Sequence, residues 1–323
     1  MKIKLNFGNA LSWIGKNSAL TAVIVLFIFG SFFVPNFLSK QNFSAILYQY
    51  SIIGFLALGQ LLVILTAGID LSQGSMVAFT SIIVSLVMSK FGILPAVLGG
   101  LLSTTLLGVF NGFLVSRTQI PPFVVTLGMT GIARGLALLF SNAKPISIDI
   151  ESFSNFGRSN IFGFPTSAIL IIFFSVGLSY FLRHRKLGRY IYSVGGGEES
   201  SRLSGIDVKK IKLFVYAASG LLTAVGGIIW TARLSSGSPI GANGYEFESI
   251  AAVIVGGGSL FGGIGSVSGT LIGIILFGMI NSVLNLVGIS PYWQGTIKGV
   301  LILMAVALSQ VRKLREKKIE VKA

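Results

Sequence analysis

The sequence predicts an all-α polytopic membrane protein of about ten transmembrane helices, some of them short or broken. Three observations carry this. Hydrophobic residues make up 53% of the 323 residues and charged ones only 11%, against about 25% in an ordinary soluble domain. The mean hydropathy is +0.84, and the apolar residues gather in runs near the ~20 residues a helix needs to cross a bilayer core. The 25 Lys and Arg lie between those runs and mostly on one side of them, the asymmetry that orients membrane helices. A soluble fold of this length needs a polar surface that this chain cannot supply. A bilayer removes that need, provided the backbone bonds to itself.

The expected spans are 19–34, 44–66, 75–89, 93–115, 123–140, 166–182, 214–234, 248–257, 266–288 and 294–311, forming one transmembrane domain over 1–323. Residues Met1 to Lys16 are basic and precede an apolar run, as in a secretory signal. The run Ala19–Val34 is long for that role, and Val34-Pro35-Asn36 offers no small-residue cleavage site, so an uncleaved first span is expected. Only Ser89-Lys90-Phe91-Gly92 separates the third and fourth spans. The run 248–257 is too short to cross alone and is expected to be tilted, broken or re-entrant. With the N-terminus inside, the segments 1–18, 67–74, 116–122, 183–213, 258–265 and 312–323 carry 18 Lys and Arg, and the opposite loops carry five. That bias puts both termini in the cytoplasm and makes the number of crossings even.

The longest inside segment, 183–213, is the one soluble-looking element. Gly195-Gly196-Gly197 permits a tight turn. Glu198–Ser204 can then form about two helical turns with acids at the positive end, and Gly205 is a natural stop. The opposite loop 141–165 is polar and rich in Asn and Ser, enough for a docking surface but not a domain.

Composition also excludes functions. There are no cysteines and one histidine, His184, so disulfides, thiolate sites and a protein zinc site are not expected. No metal or cofactor is implied. The net charge of +15 does not indicate nucleic acid, because 14 of the 25 basic residues sit in Arg183–Lys212 and Arg312–Lys322, flanking apolar runs. Gly256-Gly257-Gly258-Ser259-Leu260-Phe261-Gly262-Gly263 lacks the Gly-Lys-Ser/Thr ending of a phosphate loop. No such pattern occurs anywhere, so the chain is not expected to hydrolyse ATP.

Polar residues inside apolar runs are the candidates for a solute path or gate. Asp70 lies in Ala67-Gly68-Ile69-Asp70-Leu71-Ser72-Gln73-Gly74-Ser75, where two glycines relax the backbone. A charged Asp at bilayer centre costs about 2.5–3.5 kcal/mol on insertion scales, so it must lie near an interface, in a cavity or at a helix cap. Arg134, beside Gly131 and Gly135, can snorkel, pair with Asp70, or bond a backbone carbonyl. Asn281 and Asn285 lie one turn apart, and Asn111, Gln294 and Lys298 fall in or beside spans. Uncharged amides suit a polyol better than an ion, although helix–helix bonding is the commoner use. Glycines spaced four apart, at 108/112, 131/135, 258/262 and 265/269/273, are expected to pack helices closely. Glu246 and Glu248 are expected in a solvated loop or against an external partner; no nucleophile or metal motif supports hydrolysis there.

Four stretches in order, Leu62–Ser75, Pro121–Gly135, Leu187–Ile206 and Gly244–Gly263, resemble the ribose-type permease subunits of bacterial ATP-binding-cassette importers for monosaccharides. The resemblance spans about 44–310. It implies a multi-pass subunit of the bacterial inner membrane that moves ribose or a related sugar into the cytoplasm. It also implies a second permease copy, a cytoplasmic ATP-binding subunit and an extracytoplasmic sugar-binding protein. The helix docking on the ATPase then maps onto Gly195, Gly196, Glu198, Arg202, Leu203 and Gly205. The chain departs from the family in having Gly197 where Asn is usual and Glu199 where a small residue is usual. A different class, an ion-driven secondary transporter, predicts several membrane-embedded acids; only Asp70 is expected deep in a span. A non-transporting scaffold would leave the intramembrane polar residues unexplained.

Overall fold

The computed structural model describes residues 18–290, 292–300, 303, 304 and 307. Helices are α1 (Ser18–Phe33), α2 (Lys40–Leu65), α3 (Gln73–Phe91), α4 (Ile93–Arg117), α5 (Pro122–Ser141), α6 (Glu151–Arg158), α7 (Thr166–His184), α8 (Lys186–Gly196), α9 (Glu198–Leu203), α10 (Val208–Leu234), α11 (Tyr245–Val255) and α12 (Val267–Leu286). Residues 292–300 are helical as well. The rest of the span expected at 294–311 lies largely outside the described residues, as do 1–17 and the basic stretch after 311. Seven of the helices, α2, α3, α4, α5, α7, α10 and α12, are long and apolar enough to cross a membrane. The chain is an all-α polytopic membrane protein.

Short polar residues start and stop these helices. Ser39, Asp207 and Ser266 accept from the backbone N–H groups of Asn42, Lys210 and Gly269, meeting donors that a first turn leaves free. Gly92 takes φ +82°, so the chain reverses between α3 and α4 in one residue. Helix α10 forms the centre. It packs on α4, α2 and α3, and glycines set the spacing. A Cβ on Gly108 would lie 2.5 Å from the Tyr216 carbonyl, and one on Gly112 would lie 2.9 Å from that of Leu213. Gly256, Gly269 and Gly273 likewise bring α11 and α12 backbone to backbone. Gly131 and Gly135 make no such contact within the chain, where a Cβ would meet nothing within 4 Å. Helices α4, α5 and α7 turn Leu98, Leu102, Leu106, Leu127, Leu139, Ile172 and Phe173 outward, as lipid contact permits.

Two segments leave the simple up-and-down pattern. After α2 ends, residues 66–72 double back beside its last turns. Gln60 lies level with Asp70, and the Gln73 side chain donates to Leu56 O at 2.9 Å. Helix α3 therefore begins well inside the molecule. The stretch 67–74, expected as an inside loop, is mostly buried, with Asp70, Ser72 and Gln73 fully so. Residues 235–244 make the converse excursion. They start with β2 (Ser236–Gly237), paired antiparallel to β1 (Ile146–Ser147), and descend along α3. Ser238 N donates to Ser81, and Ala242 O lies beside Gly74. Helix α11 then starts at the depth where α3 starts.

The expected loop 183–213 is largely helical, because α10 begins at Val208 and α8 occupies 186–196. The short helix expected near 198–204 is present as α9. Gly205 takes φ +83° and stops it, with Gly205 N and Ile206 N donating to Arg202 O and Ser201 O. The turn expected over Gly195-Gly196-Gly197 is confined to Gly197, since Gly195 and Gly196 belong to α8. The loop 141–165 is clamped rather than free. Arg158 donates to Arg233 O and Ser235 Oγ, and the Gly157 backbone seats on Ala232.

Candidate functional site

The candidate residues fall into three polar clusters and one exposed surface. The first cluster surrounds the break at 66–72. One carboxylate oxygen of Asp70 accepts from Ser72 N (3.0 Å) and Ser72 Oγ (2.5 Å). The other accepts from Ser219 Oγ on α10 at 3.1 Å. Asn111 donates to Ser72 Oγ at 3.1 Å. The Gln60 amide, oriented to suit its neighbours, bonds both N and O of Asp70. Thr126 and Thr130 on α5 donate to the freed carbonyls of Ile69 and Leu71. All of these bonds but that of Asn111, which goes to the Ser72 hydroxyl, meet a backbone or carboxylate group that lipid would leave unmet. Asp70 and Asn111 thus hold the break together. Neither Arg134 nor any other cation pairs with Asp70 among the described residues.

The second cluster holds the descending stretch. Arg134 donates to Pro239 O at 2.7 Å and Gly241 O at 2.9 Å. Of the roles weighed for it, backbone capping is the one the geometry displays. Glu246, in the first turn of α11, lies against the start of α3; a Cβ on Gly74 would sit 2.0 Å from Glu246 Oε2. Gln73 and Ser249 join the two helix starts through a 2.8 Å hydrogen bond. Two helix N-termini meet there, and their partial positive charge suits the carboxylates of Asp70 and Glu246.

The third cluster lies between α2, α11, α12 and helix 292–300. Glu248 is 7% exposed and pairs with Lys298 at 2.7 Å. Gln294 donates to Asn285 Oδ1 at 2.8 Å, and Asn281 is buried beside them. The expectation that Glu246 and Glu248 are solvated is therefore wrong. Both are buried because α11 starts inside the molecule, which local hydropathy cannot show. Asp70 is likewise not the sole acid held deep in the fold. The missed signal was a pair of acids two residues apart at the head of an apolar run. Tyr50, Gln60, Gln73 and Ser219 carried no signal beyond being polar residues in spans.

The exposed surface is α9 with its flanks. Glu198 bonds Lys212 (2.6 Å), and Glu199 bonds Arg202 (2.5 Å) within the helix. The Arg202 hydrogen bond holds the Glu199 carboxyl below the usual carboxylate range. Leu203 is 77% exposed, unusual for a leucine beside charged neighbours. Gly196 has open space around it. Gly195 does not: a Cβ there would lie 1.7 Å from Leu65 O and 2.5 Å from Gly263 N. Gly263 N in turn donates to Leu65 O at 3.0 Å. The α8–α9 unit therefore rests on the end of α2, just before the first break, and on the loop that follows α11. No group of three metal-binding side chains occurs among the described residues.

Closely packed apolar helices, two of them begun inside the fold on buried polar clusters, define a membrane protein of the permease type. The chain belongs to the family described as branched-chain amino acid transport system / permease component, which matches residues 42–306. It is 41% identical to the ribose import permease protein RbsC of Escherichia coli K12 over 300 residues, covering 91% of this chain and 94% of that protein. It is 36% identical over 310 residues to RbsC of Bacillus subtilis, covering 95% of each. It is also 36% identical over 311 residues to the D-allose transport system permease protein AlsC of Escherichia coli K12, again covering 95% of each. No solved structure matches the chain.

Proposed function

We propose that this chain is the membrane-spanning permease subunit of an ATP-driven importer that carries a ribose-type monosaccharide into the cytoplasm. The observation that carries this reading is end-to-end similarity to several sugar import permeases at 36–41% identity. The subunit works as a pair with a second copy, in the bacterial inner membrane with both termini inside. A separate cytoplasmic subunit hydrolyses ATP, and an extracytoplasmic binding protein delivers the sugar.

The fold supports a route for coupling. An ATPase can shift the permease between inward- and outward-facing states only by binding them differently. Leu203 and Arg202 on α9 are the exposed contacts for that difference. Movement of α9 passes through Gly195 to Leu65 and Gly263, and so to both broken elements. Glycine-mediated contacts without interlocking side chains let α4 and α10 slide. The Glu199–Arg202 pair must open if Arg202 is to reach a partner, which is how this chain's departure at Glu199 tunes the contact.

The test is uptake of labelled ribose into vesicles holding the complete importer. Uptake that needs ATP, and that Leu203→Asp uncouples from ATP hydrolysis, is the expected result. Uptake sustained by an ion gradient without ATP would overturn the reading in favour of a secondary transporter.

A further inference from the structure

Helices α4 and α10 pack on each other, while α7 packs on α2, α8 and α12. A gap stays open between α7 and the α4–α10 pair. Helix α6 bridges it at one end, since α6 packs on both α7 and α10. Gly157 seats on Ala232 there, and Arg158 bonds Arg233 O. Beneath α6 lies a cavity of about 330 Å³. Its walls include Val97 and Leu101 of α4, Phe153 of α6, Leu170 of α7 and Ile228 of α10, and Ser152 is its only polar liner among the described residues.

The depth of the cavity follows from the helices around it. Ile93 opens α4 and lines the rim; Leu101 lines the wall eight residues on, about 12 Å deeper at 1.5 Å per residue. Val225 lines it from α10, nine residues before that helix ends at Leu234. The cavity thus runs through most of one leaflet of a hydrocarbon core about 30 Å thick, on the side of the 141–165 segment. Its borders face lipid. Leu94 and Ile169, next in sequence to two liners, are exposed, as is Leu221, one turn from Val225 on α10.

Position and shape name the occupant. A cavity with apolar walls stays dry, and a soluble partner does not reach hydrocarbon depth. Over about 12 Å, 330 Å³ gives a cross-section of about 27 Å². A helix 10–12 Å across needs about three times that area. A single hydrocarbon chain, its carbons about 3.5–4.0 Å from the wall, fits. Lys90 and Glu151, both exposed, stand just ahead of Ile93 and Ser152 in the chain. They offer partners for the phosphate and the ammonium of a zwitterionic headgroup.

We infer that a phospholipid of the phosphatidylethanolamine type inserts one acyl chain into this slot, with its headgroup at Lys90 and Glu151. The acyl chain fills the gap between α7 and α10. It is held on several sides by four helices, unlike the boundary lipids that pass over Leu98, Leu102 and Phe173. The slot needs only the membrane class of the fold, not the sugar-permease reading.

The experiment washes the purified full chain in detergent and counts the phospholipid it retains by mass spectrometry. The wild type is expected to keep about one phosphatidylethanolamine per chain, because the slot is one hydrocarbon chain wide. Val97→Trp, which puts an indole into the slot, should lose it. Ile172→Trp, on the exposed face of α7, should keep it. Equal retention by the wild type and Val97→Trp, or none by the wild type, overturns the site. The wild type alone supplies a second reading if Val97→Trp does not fold. Phosphatidylethanolamine added back to the delipidated chain should raise its unfolding temperature, with saturation at about one lipid per chain. A rise that never saturates is bulk solvation, and no rise means that protein fills the slot; either result overturns the site. Phosphatidylglycerol, which lacks the ammonium, should saturate only at higher concentration, and equal binding of the two overturns the headgroup assignment.

Discussion

At the residue scale, burial is tolerated where every polar atom has been answered. Asp70 is fully buried, yet both of its oxygens are bonded. Asp70→Ala would strand Ser72 and Ser219, at about 1–3 kcal/mol for each group left unmet. A markedly lower thermal unfolding temperature in detergent is the expected outcome, with Asp70→Asn intermediate. Gly195 and Gly196 make a matched pair for the proposed coupling surface. Gly195→Ala drives a Cβ into Leu65 O, whereas Gly196→Ala meets nothing within 4 Å. Only the first should reduce the yield of folded protein. The carboxyls of Glu199 and Asp207 are both held low, by Arg202 and by the Lys210 backbone N–H respectively. A lowered folded value stabilises above the ordinary carboxylate pKa of about 4 and is lost as pH falls through the lower value. The protection of amides in 198–207, taken relative to the intrinsic exchange rate at each pH, should therefore be flat from neutral pH to about 5 and fall only in acid. Because both pairs are exposed, salt should weaken them throughout.

At the element scale, α3 and α11 matter for where they start. Each begins beside the other's first turn, and Gly74 makes that contact possible, since any side chain there would strike Glu246 and Ala242 O. Gly74→Ala should cost about 1–3 kcal/mol by overpacking, read as a loss of thermal stability in the purified chain. The same substitution at Gly131, on the open face of α5, should cost nothing within the chain. Helix α9 shows the opposite economy. It is two turns long and held by its glycine stop and exposed ion pairs, which suits the adjustable contact proposed for it.

At the scale of the whole molecule, the orientation proposed from the unequal distribution of Lys and Arg has α9 on the cytoplasmic side and the 141–165 segment opposite. The chain has no cysteine, so single cysteines report sidedness without background. Leu203→Cys should react with a membrane-impermeant thiol reagent only from the cytoplasmic side. Phe162→Cys, at a position 98% exposed, should react only from the other. Labelling of both from one side would contradict the orientation. The outward leucines and phenylalanines of α4, α5 and α7 supply a lipid-facing surface. The interior is built on glycine contacts, the form of packing available where lipid offers no hydrophobic drive between helices.

The membrane class, the long helices, the short helix at 198–203 and its glycine stop were legible in the sequence, because hydropathy, caps and glycine act over a few neighbouring residues. Tyr50, Gln60, Gln73 and Ser219 became recognisable only once helices distant in sequence were packed together. Glu246 and Glu248 were misplaced for the same reason: a local run cannot tell that its first turn starts inside the fold rather than at its rim. The tertiary structure alone decided which intramembrane polar groups bond each other and which stay unmet. That follows from the physics of burial, because a polar side chain's role is set by the partners around it, and those partners come from other helices.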